Sequence, residues 1–416
     1  MRQSQLFTKI TKEIPKDESS ANARILIQSG FIDKVAAGVY TFLPMGLRVH
    51  SKICQIIREE MDAIGGQEIL MPSLTPKDNW RITGRWDNFD ALFKLAGNDK
   101  KEYALGATHE EVITPLAKKF IFSYKELPVF IYQIQTKFRN ELRAKAGLIR
   151  GREFSMKDLY SFHESKEDLK EYYKLVQKTY FKIFERLELL DITYLTFASG
   201  GAFSKYSHEF QTLAEAGEDV IHICDKCDIA INEEIIKEQK NCPNCGNKKL
   251  KQAKAVEVGN IFKLRTKFSK PFGFQFTDKR GQQQDVYMGC YGMGPSRIMG
   301  TVAEIFRDDN GVIWPEEIAP FKAHIIPVTG KISAPVVEAG EKMYSNLVKN
   351  KVEVLYDDRL NYSPGEKFAE ADMIGCPYRL VISEKTLKKN CVEVKRRNSE
   401  KIELVSLDKI VEFLNS

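Results

Sequence analysis

Between Lys137 and His163 the chain reads KFRNELRAKAGLIRGREFSMKDLYSFH, with Arg139, Glu141, Arg150, Arg152 and Phe154 at short intervals. Guanidinium forks match phosphate oxygens, an aromatic ring stacks on a flat base, and a carboxylate accepts from an exocyclic amine. That mixture suits a polyanion that carries a base, although a solvated charged sheet face has the same composition. A second signature lies further on, where Cys224 and Cys227 are followed by fourteen residues and then by Cys242 and Cys245. Two thiolate pairs at that spacing can close a tetrahedral zinc site, and Gly246 suits the tight turn of a metal knuckle. Four thiolates leave no coordination position open, so such a metal holds structure.

The elements that must position these groups follow from periodicity. Phe130, Tyr132, Ile134 and Phe138 alternate with Gln133, Gln135, Lys137, Arg139 and Glu141, which predicts a strand with an apolar back and a charged front. The small, basic Ala144–Gly147 stretch predicts a loop, and a second strand then sets Arg150, Arg152 and Phe154 on one face. Upstream, Val49, Ile53, Ile57, Met61 and Ile64 predict an amphipathic helix over Leu47–Ile64, stopped by Gly65 and Gly66. The short strand after it carries Pro72 and reads as an edge. A strand ending at Ala107 leads into a helix, with Thr108 and Glu111 at capping-box spacing. Leu169, Tyr172, Tyr173, Val176, Tyr180 and Ile183 mark one side of another helix.

QQQDVYMGCYGMGPSRIMGTVAEIF predicts a strand, a glycine-rich elbow and a helix with Pro295 in its first turn. Beyond IWPEEIAP, strands at AHIIPV, VEVLYD, YRLVIS and CVEVKRR alternate with helices at Ala334–Lys349 and about Lys367–Met373. That pattern predicts a βαβ domain with a mostly parallel sheet.

At 416 residues the chain is long enough for two or three domains, and 43% hydrophobic residues suffice for packed cores. A net charge of +6 permits a nucleic-acid partner without demanding one. The first twenty residues are too polar for a signal peptide, and no apolar run approaches membrane-spanning length. Four of the eight cysteines are scattered, at 54, 290, 376 and 391, the usage of a reduced cytoplasmic protein with one metal site.

FRNE followed by GLIRGREFSMKDLYSFH resembles motif 2 of the class II aminoacyl-tRNA synthetases, in the form used by bacterial prolyl-tRNA synthetases. GCYGMGPSR resembles motif 3, and the helix and strand before Pro72 resemble motif 1, whose family role is the dimer interface. Thr108, His109 and Glu110 resemble the proline-binding T-x-E loop, and LYDDRLNYSPGEKFAEADMIGCPYRLVIS resembles the shared anticodon-binding domain.

The resemblance implies an α+β catalytic domain, an antiparallel sheet flanked by helices, over 1–222 and 256–318. A zinc-ribbon-like lobe would occupy 223–255, and an α/β anticodon-binding domain 319–416. It further implies a cytoplasmic homodimer that uses ATP with Mg²⁺, proline and tRNA(Pro), with a structural Zn²⁺. Arg139 would hold the α-phosphate and Arg297 the γ-phosphate, with Arg150 and Arg152 as further phosphate ligands. Phe154 would stack on adenine, with Glu141 near its amino group. Thr108, Glu110, Arg139, His208, Asn260 and Cys290 would form the proline pocket. Arg143 would meet the tRNA acceptor end, and Arg359 and Lys367 the anticodon.

Three places depart from the family pattern. The motif 2 loop reads RAK rather than RPR, Asn260 stands where a histidine is usual, and about forty residues replace a large inserted editing domain. No editing in cis is therefore expected. A non-catalytic paralogue would typically lack a phosphate arginine, whereas Arg139, Glu141, Phe154 and Arg297 are all present. A threonyl enzyme would carry a metal at its amino-acid site, whereas the evident ligands here are the four clustered thiolates.

Overall fold

The computed structural model describes residues 1–11, 13, 18–144, 146–328 and 333–415. The chain forms two compact units, one of Met1–Val35, Tyr40–Lys52 and Val302–Ser416, the other of Ala36–Val39 and Ile53–Thr301. The amino-terminal segments thus group with the carboxy-terminal residues, and no division falls at the expected boundaries of 222 and 255.

The larger unit is built on a nine-stranded sheet. In chain order its strands are β1 (Gln67–Glu68), β2 (Val129–Phe138), β3 (Glu153–His163), β4 (Thr193–Ser199), β5 (Tyr206–Leu213), β6 (Asp219–Cys224), β7 (Ile229–Asn232), β8 (Leu250–Arg265) and β9 (Tyr287–Met293). Their spatial order is β5-β4-β7-β6-β8-β9-β3-β2-β1, and β5 also pairs with β8, so β4 to β8 close into a ring. Every pairing is antiparallel except β7 with β4 and β1 with β2. The stem of the expected cysteine lobe is tied into the main sheet by ladder bonds of β6, β7 and β8. Only the knuckle loops stand out from it.

Helix α1 (Pro44–Asp62) begins three residues before the predicted start, and Gly65 after it has φ +83°, which few other residues adopt without strain. Helix α2 (Glu110–Ala117) follows the T-x-E turn. Helix α3 (Lys166–Arg186) starts at Ser165, whose hydroxyl accepts from the Asp168 N–H at 3.1 Å. All six predicted apolar positions on α3 are buried, including Val176 and Tyr180, and they cover the back of the sheet. Helix α4 (Pro295–Ile305) leaves β9 through the glycine elbow, with proline at its first position.

Two local expectations change. β3 begins at Glu153, so Arg150 and Arg152 precede it; the Arg152 N–H donates to the Gly38 carbonyl at 2.8 Å, which draws that backbone off the ladder. Thr108 and Glu111 do not form a capping box, because His109 is the residue before α2 and makes no side-chain cap.

In the smaller unit, β10 (Ala323–Pro327), β11 (Val354–Tyr356), β12 (Tyr378–Ile382), β13 (Cys391–Arg396) and β14 (Ile402–Ser406) form one sheet in the order β11-β10-β12-β13-β14. The first two pairings about β10 are parallel and the remaining two antiparallel, so the sheet is mixed rather than mostly parallel. Helices α5 (Ala334–Lys349) and α6 (Pro364–Ile374) connect the parallel strands. A capping box of Ser363 and Glu366 starts α6, and Gly375 at φ +74° ends it.

Candidate active site

Strand register lays a row of residues across one face of the main sheet. Gln133, Asp158, Gly292, Asn260 and Glu209 are successive partners on β2, β3, β9, β8 and β5. Side chains alternate along a strand, so Tyr160, Cys290 and Phe262 form the next row on the same face. Over this floor lies a cavity of about 360 Å³. Gly292 sits mid-floor, where an added Cβ would meet only Asn260 O and Met156 Sδ, both at 3.8 Å, and would project into the cavity.

The walls carry most of the predicted chemistry. Thr108, Arg139, Glu141, Phe154, Asn260, Cys290 and Arg297 all line this one cavity. Arg139 lies 5.3 Å from the Phe154 ring, and among the described residues no carboxylate pairs with it. Burial, and next the charge of Arg297, lower its guanidinium pKa, yet a guanidinium keeps its proton in water near neutrality. Arg297 donates from Nη1 to the Glu257 carbonyl at 2.7 Å and to its carboxylate at 3.1 Å. Arg297 is thus ion-paired with Glu257, whereas Arg139 faces the same space without a carboxylate partner among the described residues.

At the other end, Thr108 donates its hydroxyl to the Glu110 carboxylate. Glu110 is fully buried, its Oε2 lies 3.5 Å from Arg85 Nη1, and its Oε1 has no hydrogen-bond partner among the described residues. A buried carboxylate oxygen without a donor is costly, and a ligand cation would satisfy it. Below it, Asp158 is held by Lys137 Nζ at 2.6 Å and by Gln133 Nε2 at 2.9 Å. Lys137 and Gln133 are fully buried, so the predicted charged front of β2 is a buried network beneath the pocket rather than a solvated surface. His109 binds the Pro72 carbonyl through Nε2 at 3.1 Å, and burial first, then Lys137, lowers its pKa to about 4. Burial, and then the Glu110 charge, raise the Cys290 thiol pKa, which keeps it a neutral pocket wall.

Other predicted residues stand elsewhere. Arg150 pairs with Glu141 at 2.8 Å and Glu218 at 2.6 Å, while Arg152 donates to the carbonyls of Glu141 at 3.0 Å and Ala37 at 3.2 Å. Both brace the loop that carries Glu141 and neither lines the cavity. Arg143 is exposed, as a loop residue meeting an external partner requires; Lys145 of the RAK stretch lies outside the described residues. His208 faces away, because the β5 to β8 register turns Glu209 toward Asn260 and His208 toward Tyr173, whose hydroxyl lies 2.7 Å from Nδ1. Arg359 bonds Asp357 through two contacts of 2.8 Å, and Lys367 is buried under the same loop, donating to the carbonyls of Pro327 and Asp357 at 3.3 Å each.

Sequence reasoning missed Asp158 and Glu257. Asp158 and Glu257 each lie two residues from another cavity-lining position on their strands, a period-2 signal that was available. Glu209 is buried between Gln211 and Asn232, at 2.8 and 3.0 Å, and burial, with the nearby Glu257 charge, raises its pKa.

The four knuckle sulfurs converge. Cys224 to Cys245 is 3.6 Å, Cys227 to Cys242 is 3.3 Å, Cys227 to Cys245 is 3.7 Å, and all four lie within 4.8 Å of one another. A tetrahedron of about 2.3 Å zinc–sulfur bonds has edges of this size, so the residues fit a zinc ion.

Residues 93–306 match the tRNA synthetase class II core domain (G, H, P, S and T), and residues 322–416 match the anticodon binding domain. The chain is 38% identical to the proline–tRNA ligase of a Wolbachia species from Brugia malayi over 429 positions, covering all of both chains. The chain belongs to the proline–tRNA ligase family of class II aminoacyl-tRNA synthetases. It is also 32% identical to the Legionella pneumophila (strain Lens) member over 567 positions, covering 100% of this chain and 99% of the relative. That alignment is far longer than 416 residues, so the Legionella relative carries segments that this chain lacks.

Two solved structures share the fold. The Cryptosporidium parvum prolyl-tRNA synthetase, complexed with halofuginone and AMPPNP, superposes with a TM-score of 0.78 at 19% identity, covering 95% of this chain and 76% of that one. The Giardia lamblia prolyl-tRNA synthetase in complex with prolyl-adenylate gives 0.78 at 20% identity, covering 93% and 74%. No described helix is long and apolar enough to cross a membrane.

Proposed function

We propose that this chain activates proline with ATP and then esterifies the 3′ end of tRNA(Pro). The observation that carries the reading is one cavity with opposite needs at its ends. Arg139, at one end, has no carboxylate partner among the described residues, and at the other the cavity-lining Thr108 is bonded to the buried Glu110, which keeps one oxygen without a hydrogen bond. An amino acid condensing with a nucleoside triphosphate supplies both.

The substrate's ammonium sits at Glu110 and Thr108, its ring against Cys290 and Phe262, and its carboxylate toward Arg139. That carboxylate is ionised at neutral pH, so it attacks the α-phosphorus without a general base. The bond to the β-phosphate breaks and pyrophosphate leaves. Arg139 neutralises the α-phosphate and Arg297 the outer phosphates, while Phe154 stacks on adenine beside Glu141. Mg²⁺ supplies charge neutralisation on the phosphates when bound, and Glu257 beside Arg297 is the carboxylate that would face it. A terminal ribose hydroxyl of the tRNA then attacks the acyl carbon, and AMP leaves. Asn260 donates from Nδ2 to Glu257 at 2.9 Å, the positioning duty left to an amide that cannot titrate.

Cys224, Cys227, Cys242 and Cys245 hold a structural zinc. Arg143 meets the acceptor end. Arg359 stacks at 4.0 Å on Tyr362, a 39% exposed ring that offers an anticodon base a platform, while Lys367 fixes the loop from beneath. His208 supports the pocket only from behind, through Tyr173. Leu70 and Leu74 are 76% and 48% exposed next to the short edge strand β1, which supports a homodimer interface there. A cytoplasmic location follows from the use of tRNA. The deciding experiment is amino-acid-dependent exchange of pyrophosphate into ATP, screened over all twenty amino acids. Exchange with proline is expected, and exchange driven by another amino acid instead would overturn the reading.

A further inference from the structure

A second and larger cavity, of about 910 Å³, lies beyond the loop Gly200–Lys205 and shares Gly201 and Phe203 with the reaction cavity. Its walls come from α3, from β5 and β8, and from the knuckle loops at Ile235 and Pro243. Four cations line it (Lys205, Lys263, Arg265 and Lys267) against one carboxylate, Glu238, which is already engaged by the Tyr206 hydroxyl at 2.8 Å. Lys263 has no carboxylate partner among the described residues and rests its ammonium 4.2 Å over the Tyr173 ring. Burial first, and then the charges of Lys170, Arg265 and Lys174, lower its pKa. Tyr206 is 47% exposed at the rim, with the Lys205 ammonium 4.9 Å from its ring.

Aromatic faces interleaved with uncompensated cations form the surface that binds unpaired RNA, since bases stack on the rings and phosphates meet the ammonium groups. The tRNA of the proposed reaction is the polyanion at hand, and its unpaired 3′ end must reach the adjoining cavity. We propose that this second cavity seats the unpaired tRNA nucleotides that lead to the 3′-terminal one, whose ribose passes Gly201 and Phe203 into the reaction cavity. The inference rests on the aminoacylation reading above. It gives the cysteine knuckle a function, since Ile235, Glu238 and Pro243 close one wall.

The test compares the zinc-loaded full-length protein with its Lys263→Ala and Tyr206→Ala variants and the charge reversal Lys205→Glu. Each is assayed for proline-dependent pyrophosphate exchange, for the KM of tRNA in charging, and for binding of tRNA with and without its four 3′-terminal nucleotides. Exchange should be unchanged, which also shows that the variants fold. The KM for intact tRNA should rise about five- to fiftyfold, as for removal of one stacking or phosphate contact. Affinity for the truncated tRNA should be equal across all four proteins. Unchanged KM values would overturn the proposal. So would equal weakening toward intact and truncated tRNA, which would move the contact to the body of the tRNA. Absence of proline-dependent exchange in the unsubstituted protein would instead refute the aminoacylation reading.

Discussion

At the scale of single residues, the candidate site is a problem of charge left unsatisfied on purpose. Arg139 is half-buried and has no carboxylate partner among the described residues, so in the proposed reaction its charge is left for a phosphate that gains charge. Arg139→Ala or Arg297→Ala should therefore lower proline-dependent exchange about 10²- to 10³-fold, the usual effect of removing one preorganised charge contact. Steady-state exchange assays on the purified variants check this, and either variant retaining full activity would remove it from the phosphate site. A different residue governs stability. His324 is buried, its Nε2 lies 2.8 Å from Gln3 Oε1, and its Nδ1 has no partner among the described residues. Burial lowers its pKa to about 4, with Arg359, Arg379 and Lys367 opposing and Asp357 favouring the charged ring. The unfolded chain protonates near pH 6.5. Stability of the smaller unit is thus complete above that pH and is lost as pH falls toward 4, by about 3 kcal/mol at full extent. Protection of Ala323–Pro327 against hydrogen exchange, taken as the ratio of intrinsic to observed rate from pH 7.5 to 4.5, should fall on acidification. His324→Gln should flatten that response.

At the scale of elements, the outcome shows which physics a sequence carries. Periodicity located α3 with six of its buried positions and the strand, elbow and helix of Tyr287–Ile305, because each pattern is local. Arg150 and Arg152 escaped, since the backbone there is captured by the Gly38 carbonyl more than a hundred residues away. His208 was placed on the wrong face for a related reason. Which face of β5 looks into the cavity is decided by its pairing with β8, and nothing in SHEF fixes that register. The buried state of Lys137 is also invisible locally, since it depends on Asp158 from the neighbouring strand. The knuckle was legible because its four ligands are themselves the signal. Elemental analysis should find about one zinc per chain, and Cys242→Ser should release it. Hydrogen exchange should then rise in the knuckle while β8 stays protected by its ladders to β5 and β9. Proline activation should survive; its loss with the sheet intact would assign the metal a part in chemistry.

At the scale of the whole molecule, two expectations concern what the chain cannot do alone. The exposed Leu70 and Leu74 beside β1 need a cover, so light scattering at assay concentration should give twice the chain mass of 47.6 kDa; a monomeric mass in an active sample would refute the homodimer. The other expectation concerns accuracy.

Alanine lacks the methylenes that close proline's ring, so it enters any pocket that admits proline, and the missing contacts are worth only about 1–3 kcal/mol, or roughly 10–200-fold. Nothing in the pocket described above can enlarge that margin. In the proposed pose Cys290 and Phe262 meet only bulk, while Glu110 and Thr108 meet an ammonium that alanine also has. Longer relatives such as the Legionella member carry segments that this chain lacks, and the knuckle offers four mutually facing thiolates with no spare position. The second cavity has cations and rings but no described carboxylate free to activate water, because Glu238 is held by Tyr206. We therefore expect alanine to support measurable pyrophosphate exchange, and alanyl-tRNA carrying the proline anticodon to persist in the presence of this protein. Incubation of purified protein with preformed alanyl-tRNA tests the point. Deacylation clearly faster than in the protein-free control would mean that one of these two surfaces hydrolyses the ester after all, and Lys263→Ala and Cys242→Ser would then show which.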